Sequence, residues 1–324
     1  MEPVFDTRTD LSFLNEAVQR VQQQLKKVIV GQEGMVKLII AALLADGHVI
    51  IEGVPGVAKT LTAKLVARCL NVHFSRIQFT PDLMPSDVLG TPIFNPREAQ
   101  FEFKRGPIFS NIVLIDEINR APAKTQAALF EIMEERQVTM DGKTYPMPPP
   151  FMVLATQNPI EQEGTYRLPE AQLDRFLFKI QVPYPTQEEE LQILTQFHQL
   201  GNQDVVRSIE TVLESSQIIE LRRQVKKVMV CEKLLQFIAA LVHKTRHDRS
   251  IYLGASPRAS LAIMNASKAI AALAGRDFVT PEDIIEVVPP VLRHRIILAP
   301  DKEMEGISED AVIEQILHSL DIPR

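Results

Sequence analysis

The chain has 324 residues, of which 45% are hydrophobic and 23% are charged, the composition of a folded globular protein. A chain of this length buries enough surface to be stable without disulfides or structural metal ions. Its 35 Lys and Arg against 41 Asp and Glu leave a net charge of −6, which argues against a general electrostatic attraction to nucleic acid. The two cysteines, Cys69 and Cys231, lie far apart without neighbouring ligand residues, which is typical of thiols in a reducing compartment.

Two features of the sequence bear on the location of the protein. The longest uninterrupted apolar run, Leu38–Ala45, is much shorter than the ~20 residues that cross a bilayer. The first residues include Glu2, Asp6 and Asp10, where a signal peptide has a basic and then an apolar stretch. We therefore expect a cytoplasmic protein with no membrane span.

The first half of the chain alternates between helical and strand patterns. Apolar residues recur every three or four positions from Leu11 to Val28, which predicts an amphipathic helix, and a second apolar segment follows Gly31. Five short β-type segments come next: His48–Ile51, Phe74–Phe79, Ile112–Ile115, Phe151–Ala155 and Phe176–Val182. Apolar strands that alternate with helices predict a mostly parallel sheet covered by helices on both faces.

The second half of the chain reads as helical. Thr186 and Thr280 are each followed three residues later by an acid, a pattern that is typical of helix N-termini. We predict an α/β domain in residues 1–183 and a smaller all-helical domain in residues 184–324, joined through Pro183-Tyr184-Pro185.

A glycine-rich loop follows the first predicted strand. It runs Gly53-Val54-Pro55-Gly56-Val57-Ala58-Lys59-Thr60 and precedes a predicted helix that contains Leu61, Leu65 and Val66. Backbone N–H groups at such a helix N-terminus bind phosphates, Lys59 can reach the β- and γ-phosphates, and the Thr60 hydroxyl can bind Mg²⁺. Ala58 stands where a second glycine is usual. An ordinary turn is the alternative; a dinucleotide site would require Gly-x-Gly-x-x-Gly and a later acid, and the sequence has neither.

Two adjacent acids end the third predicted strand. The apolar run Ile112–Ile115 leads directly to Asp116 and Glu117. A buried strand that ends in unpaired acids requires a cation or a substrate to compensate the charge. We expect Asp116 to hold Mg²⁺ and Glu117 to orient and deprotonate an attacking water. Together with the preceding loop, this pair predicts a nucleoside triphosphatase, whereas an acidic loop start is the alternative.

Polar side chains also end the fourth predicted strand, in Thr156-Gln157-Asn158-Pro159. Open α/β sheets bind their ligands at the carboxyl ends of the strands. Asn158 could hold the attacking water or the γ-phosphate, and an Asx turn before Pro159 is the alternative.

These motifs resemble those of the AAA+ ATPases, and within them the MoxR family, over about residues 28–185. Besides the loop and the two strand ends, the matching segments are Ile29-Val30-Gly31-Gln32, Asp116-Glu117-Ile118-Asn119-Arg120-Ala121 and Leu168-Pro169-Glu170-Ala171-Gln172-Leu173-Asp174-Arg175-Phe176. The alanine in the glycine-rich loop is ordinary for MoxR proteins and strengthens the resemblance.

The resemblance implies a P-loop NTPase core with a five-stranded parallel sheet sandwiched by helices, a smaller helical lid, and ATP and Mg²⁺ as cofactors. It also implies that Lys59 and Thr60 are the Walker A pair, Asp116 and Glu117 the Walker B pair, and Asn158 the sensor 1 residue. Val30 and Gly31 would line the adenine pocket, and the loop residues with Leu61 would contact the nucleotide.

Two arginines complete the implied site. Arg175 occupies the arginine-finger position of the superfamily, and Arg258 occupies the sensor 2 position of the lid. Arg258 falls in the first turn of a predicted helix, where the dipole disfavours a cation unless an anion such as a phosphate is near. The alternative for Arg175 is a surface ion pair with Asp174 or Glu170. If Arg175 acts on a neighbouring subunit, the active site is split across a ring, by family precedent a hexamer.

Two segments look like projections from the core. Residues 80–110 contain Phe94, Phe101 and Phe103 and resemble the helix-2 insert of the MoxR, magnesium-chelatase and MCM branch. Glu134–Pro148 contains an Asp-Gly pair that is typical of a two-residue hairpin turn. In the superfamily such projections face the ring pore or a substrate; the alternative is a structural hairpin.

The resemblance therefore implies a ring-forming ATPase that couples Mg-dependent ATP hydrolysis to chaperone-like remodelling or maturation of a partner protein complex, often with a von Willebrand A domain protein. The alternatives are a magnesium-chelatase motor subunit, a nucleic-acid motor, and a nucleotide-gated scaffold with little turnover. The acidic charge balance makes nucleic acid the less favoured partner.

Overall fold

The computed structural model describes residues 9–159, 166, 168–200 and 205–323, so the acids Glu2 and Asp6 lie outside the described residues. The strands are Val49–Gly53 (β1), Phe74–Gln78 (β2), Gly90–Asn95 (β3), Gln100–Arg105 (β4), Ile112–Asp116 (β5), Gln137–Met140 (β6), Lys143–Pro146 (β7), Met152–Gln157 (β8), Phe178–Val182 (β9), Ile251–Leu253 (β10) and Ile297–Leu298 (β11). The α-helices are Ser12–Lys26 (α1), Glu33–Leu44 (α2), Lys59–Cys69 (α3), Pro85–Leu89 (α4), Ala123–Glu135 (α5), Glu170–Leu173 (α6), Gln187–Leu200 (α7), Ser215–Lys226 (α8), Glu232–Thr245 (α9), Pro257–Leu273 (α10), Pro281–Leu292 (α11), Pro300–Met304 (α12) and Glu309–His318 (α13).

A five-stranded sheet with the order β2-β5-β8-β1-β9 organises the first half of the chain. All four strand pairs are parallel, which confirms the predicted α/β fold class and its five strands. The carboxyl ends of the strands lie together at one edge, which we call the carboxyl edge. The opposite edge, where the strands begin, we call the amino edge.

Both faces of the sheet are covered, as the apolar strand pattern predicts. Alternate residues of a strand point to opposite faces, so Val49 and Ile51 pack on one side and Ile50 on the other. The first side is covered by α1, α2, α3 and the later helices, and the second mainly by α5. Because the C-terminal helices share one apolar cluster with α1 and α2, they are fixed to the sheet layer by packing.

Two helices of the C-terminal part, α7 and α11, begin where the capping pattern predicts. The backbone N–H of Thr186 donates to Glu189 at 2.7 Å, and Thr280 and Asp283 form a reciprocal capping box at the start of α11. One element was not predicted: β10 and β11 form a short antiparallel ribbon within the otherwise helical part. Its strands have only three and two residues, too few for an alternating pattern to reveal.

Two hairpins project from the sheet layer. In the β6–β7 hairpin, Asp141 and Gly142 have φ values of 50° and 74°, the conformation that a two-residue turn requires. The segment 80–110 forms α4 and the β3–β4 hairpin, near whose tip Phe94 and Phe101 pack edge to face and are both largely exposed. Both predicted projections are therefore present. Within the described part of the chain, no helix is long and apolar enough to cross a membrane.

Candidate active site

The loop between β1 and α3 bends tightly at the carboxyl edge. Gly56 has a φ of 90° and Ala58 a φ of 58°, the left-handed region that favours glycine. Gly53 has no room for a side chain, because a Cβ there would lie 2.9 Å from the carbonyl oxygen of Val182. The loop thus requires glycine at two positions, and the alanine at position 58 adopts an unfavourable conformation.

The N-terminus of α3 is open to an anion. Ala58 provides no side-chain cap, and the first turn of the helix contains no acid. The first N–H groups of such a helix are unpaired donors with a partial positive charge. Thr60 lies in this turn and is half-buried. These features fit a phosphate group.

Lys59 points back across the loop. Its Nζ donates to the carbonyl oxygen of Gly53 at 2.5 Å. Burial lowers the pKa of Lys59 from its ordinary value, and the charges of Asp116, Glu117 and Glu52 oppose that shift. The ammonium group is therefore close enough to both acids at the end of β5 to interact with them electrostatically.

Asp116 is buried and already has two partners. Its Oδ1 accepts from the Thr156 hydroxyl at 3.2 Å, and its Oδ2 forms an ion pair with Arg76 Nε at 2.5 Å. The expectation that the strand ends in unpaired acids was therefore wrong. The physical reason is the strand order, since β2 and β8 flank β5 and bring Arg76 and Thr156 to the same edge. The Arg76 side chain is 54% exposed, so solvent screens its pairing with Asp116.

Glu117 lies one residue beyond β5 in a left-handed conformation, with φ 57°. Its N–H donates to Thr156 Oγ1 at 3.0 Å, and its carboxylate accepts from Gln78 Nε2 at 2.8 Å. Arg120 Nε lies 3.0 Å from the same carboxylate. These contacts fix the position of Glu117, whose side chain is 33% exposed and so remains accessible to solvent.

Asn158 follows β8, which lies between β5 and β1 in the sheet. That order brings Asn158 to the edge between the end of β5 and the glycine-rich loop, where it is half-buried. The structure thus gathers the predicted groups of the loop, the acid pair and Asn158 at one edge.

Two adjoining clefts flank the loop beyond β9. One, of 520 Å³, is lined by residues that include Gly53, Val54 and Tyr184. The other, of 560 Å³, is lined by residues that include Gly31. Both clefts share Arg293, which places Gly31 beside the space next to the loop. Val30, the preceding residue, is half-buried and is not among the residues that line either cleft. Leu61 instead packs against the apolar cluster of the helices.

Arg175 and Arg258 lie at the amino edge, away from the loop. Arg175 comes shortly before β9, and its Nη1 donates to Glu134 Oε2 at 2.9 Å. Arg258 Nη2 donates to Oε1 of the same glutamate at 3.1 Å. Glu134 lies in the last turn of α5, which begins near the carboxyl edge and runs about 20 Å back, since its 13 residues rise ~1.5 Å each. The ion pair expected as an alternative for Arg175 therefore exists, but with Glu134; Asp174 is held instead by Arg295 and Ser256.

Sequence reasoning missed four side chains that contact the predicted site residues: Arg76, Gln78, Thr156 and Glu134. Arg76 and Gln78 alternate along β2 around the buried Ile77, a pattern that shows which face they share but not which strand is the neighbour. Glu134 stands beside Glu135 in a helix, and nothing local distinguishes them.

Comparison with known proteins places this arrangement in a family. The family model of the ATPases associated with various cellular activities (AAA) matches residues 48–178, and that of the AAA lid domain matches residues 243–316. A Mycobacterium tuberculosis protein named Chaperone MoxR1 is 44% identical over 95% of this chain and 82% of its own length. Protein MoxR of Methylorubrum extorquens is 31% identical over 89% of this chain and 90% of its own length. This chain belongs to the MoxR family of AAA ATPases.

A solved structure supports the same assignment. The crystal structure of a protein from Cytophaga hutchinsonii described as an ATPase superposes on this chain with a TM-score of 0.90 and 43% sequence identity. The superposition covers 97% of each of the two chains. The match confirms the P-loop fold with its helical lid. As a member of this MoxR family the protein is an ATPase, and it binds nucleotide.

Proposed function

We propose that this MoxR-type ATPase hydrolyses Mg·ATP in a ring whose active sites are each shared by two subunits, and that the cycle drives chaperone-like remodelling of a partner protein complex. One observation carries the proposal: the phosphate-binding loop and the acids lie at the carboxyl edge, whereas Arg175 and Arg258 lie at the amino edge of the same subunit.

Nucleotide binding is assigned to the carboxyl edge. The loop from Gly53 to Thr60 and the uncapped start of α3 bind the phosphates as Walker A, with Lys59 exchanging its contact with Gly53 for the β- and γ-phosphates. The base occupies the adjoining clefts beside Gly31, and Val30 is assigned to the same pocket by family resemblance. The hydroxyl of Thr60 and the carboxylate of Asp116 are hard oxygen ligands that suit Mg²⁺. When bound there, Mg²⁺ neutralises charge on the terminal phosphates.

Glu117 is assigned to activate the attacking water. Gln78 and Arg120 both contact Oε2 of its carboxylate, and the side chain stays partly exposed. Asn158, at the same edge, positions that water or the γ-phosphate in the sensor 1 role. No covalent intermediate is required, because positioning and charge stabilisation are sufficient for phosphoryl transfer to water.

The arginines are assigned to the neighbouring subunit. Charge on the transferring phosphoryl group requires contact with a guanidinium, and those of Arg175 and Arg258 are held by Glu134 at the far end of α5. Both side chains are partly exposed, so a neighbour's nucleotide can reach them. Such a head-to-tail contact between unlike edges closes into a ring, which we take as a hexamer by family precedent.

We assign to the helical part, from residue 184 onward, the role of converting ATP binding and hydrolysis into movement. Arg293 of this part lines both clefts, and it also donates to the carbonyl oxygen of Lys179 in β9 at 3.1 Å. Occupation of the clefts would therefore act on the contact between sheet and lid. Movement of the lid is the mechanical step that follows hydrolysis.

The kind of partner protein on which the ATPase acts is assigned from its membership of the MoxR family. The name Chaperone MoxR1 of one relative supports chaperone-like work on another protein. By family resemblance alone, we assign a von Willebrand A domain protein as the partner in that work and the cytoplasm as its location. The exposed Phe94 and Phe101 of the β3–β4 hairpin are the side chains we assign to the partner contact.

Replacing Glu117 with Gln tests the chemical part. The variant should bind fluorescent ATP as the wild type does, because the amide keeps the shape, but its turnover should fall about 10²–10⁴-fold, because it cannot accept a proton. Lys59→Ala should lose nucleotide affinity itself. The matched control is Glu303→Gln on α12, which lies on an exposed helix outside the site and should keep full turnover. Full turnover by Glu117→Gln would contradict its assignment.

A further inference from the structure

One carboxylate at the amino edge holds both arginines of the proposed shared site. Glu134 contacts Arg175 through Oε2 and Arg258 through Oε1, at 2.9 and 3.1 Å. The two arginines come from different parts of the chain, Arg175 from the segment before β9 and Arg258 from the first turn of α10. Glu134 is therefore the point at which the two arginines are joined.

The contacts leave both guanidinium groups able to bind a further anion. Glu134 receives one nitrogen from each arginine, and Arg175 Nη1 also donates to the carbonyl oxygen of Phe130. An arginine has five N–H donors in a planar fork. Nη2 of Arg175 and both Nε and Nη1 of Arg258 make none of these contacts and are left for a phosphate, whereas Nε of Arg175 is buried. The side chain of Glu134 is 41% exposed and that of Arg258 54%, which keeps the group within reach of a neighbour. Glu134 thus orients the arginines and does not block them.

A second set of contacts fixes the backbone beside Arg258. Ser256 Oγ accepts from the N–H of Arg258 and donates to Asp174 Oδ2 at 3.0 Å. Asp174, directly before Arg175, also pairs with Arg295, whose side chain is only 3% exposed. The start of α10 is therefore attached to the segment that carries Arg175, and Glu134 needs only to align the side chains.

We propose that Glu134 is a positioning residue that holds Arg175 and Arg258 as one two-arginine clamp for the polyphosphate bound by the neighbouring subunit. The proposal rests on the shared active site described above. Two adjacent guanidinium groups repel each other, and a carboxylate between them compensates that repulsion before any nucleotide arrives. Without it, the arginines would separate and the transition state would lose a preorganised contact.

The test compares Glu134→Gln with Glu135→Gln, its exposed neighbour on α5, in the full-length protein. The amide introduced by Glu134→Gln would present one acceptor oxygen and an NH₂ group that repels the second guanidinium. We expect kcat for ATP to fall about tenfold or more, with KM and the thermal midpoint close to wild type, because geometry and not ground-state binding is lost. Glu135→Gln should match the wild type. A wild-type kcat for Glu134→Gln would overturn the proposal.

Mixing subunits separates positioning from a structural defect. Glu134→Gln keeps an intact loop, and Glu117→Gln keeps an intact clamp, so a mixed ring contains complete sites at some interfaces. Adding the inactive Glu117→Gln protein should therefore raise the ATPase rate of a fixed amount of Glu134→Gln protein. No increase would overturn the role of Glu134 in a shared site, because a subunit misfolded around its own loop cannot be rescued by a neighbour.

Mixing Arg175→Ala with Glu117→Gln in the same way distinguishes failure of the Glu134 clamp from failure of the shared active site. If Arg175→Ala is rescued and Glu134→Gln is not, the clamp is wrong and the shared site stands. If neither is rescued, the shared site of the proposed function fails as well.

Discussion

The two edges of the central sheet use their charged side chains in opposite ways. At the carboxyl edge, Lys59 donates to a backbone carbonyl oxygen of its own loop, near the two acids at the end of β5. At the amino edge, charged groups are tied to the core: Arg222 is buried, donates to the carbonyl oxygen of Leu43 and pairs with Asp46. Lys59 at the carboxyl edge can therefore exchange its contact for a phosphate, whereas Arg222 at the amino edge is held in place by the core.

This difference explains how one fold can serve two neighbours. A group that binds a substrate must give up its resting contacts, and the contact of Lys59 with the carbonyl oxygen of Gly53 is easily replaced by a phosphate. A group that stabilises a transition state in another subunit must already be in position, because reorganisation at the moment of reaction costs rate. Glu134 supplies that fixed position for Arg175 and Arg258.

The largest expected effect is a loss of kcat without a loss of ATP affinity when Arg175 is replaced. Arg175→Ala should lower kcat about 10³-fold, because an arginine finger contributes 10³–10⁵ to the rate, while the affinity of the subunit for ATP stays near wild type. The measurement is steady-state ATPase activity together with equilibrium binding of a fluorescent nucleotide. Arg223→Ala, an exposed arginine of α8, is the control and should change neither quantity. A similar kcat for Arg175→Ala and Arg223→Ala would show that Arg175 at the amino edge does not contribute to catalysis.

The second effect in size is on the pH dependence of the free energy of unfolding. It tests whether the neutral, buried His48 stabilises the amino edge. His48 Nδ1 accepts from the N–H of Val153 at 2.9 Å, and its Nε2 lies 3.2 Å from the carbonyl oxygen of Met133. Burial lowers the pKa of His48 well below its ordinary value, so the folded protein keeps it neutral while the unfolded chain protonates below about pH 6.5. The unfolded state then binds more protons, and stability is lost as the pH falls from about 6.5 toward the folded pKa, by about 1.4 kcal/mol per pH unit.

The variant His48→Gln should therefore show a shallower loss of the free energy of unfolding between pH 6.5 and 5.5 than the wild type. Urea unfolding at several pH values measures that slope. His198→Gln, on the exposed surface of α7, serves as the control with an unchanged slope. Equal slopes for His48→Gln and the wild type would show that this edge does not depend on a neutral His48.

The smallest effect concerns the strain at the carboxyl edge. Ala58→Gly should stabilise the protein by up to about 1 kcal/mol, because a left-handed alanine costs ~1–2 kcal/mol and the added flexibility of the unfolded chain offsets part of the gain. Thermal unfolding provides the measurement. Ala127→Gly, at an exposed helical position of α5, should instead destabilise by about 1 kcal/mol. Destabilisation by Ala58→Gly would mean that the loop gains from the alanine side chain.

Local patterns in the sequence predict most of the carboxyl edge and little of the amino edge. The strands β1, β5 and β8 have continuous apolar runs, the loop has its own glycines, and Thr186 and Asp141-Gly142 lie where short-range geometry requires them. The pairing of Asp116 with Arg76 depends on strand order, which no local pattern records. Glu134 lies 41 positions from Arg175 and 124 from Arg258, so only the folded chain reveals their contact.

The most direct test of the shared site is the ATPase rate of an equal mixture of Arg175→Ala and Glu117→Gln subunits. Each variant alone should be nearly inactive, since every interface of its ring lacks one essential side chain. In a randomly mixed ring about a quarter of the interfaces combine the intact loop and acids of one subunit with the intact arginine of the next, so we predict about a quarter of the wild-type rate. A mixture that is no more active than its two components would contradict the account.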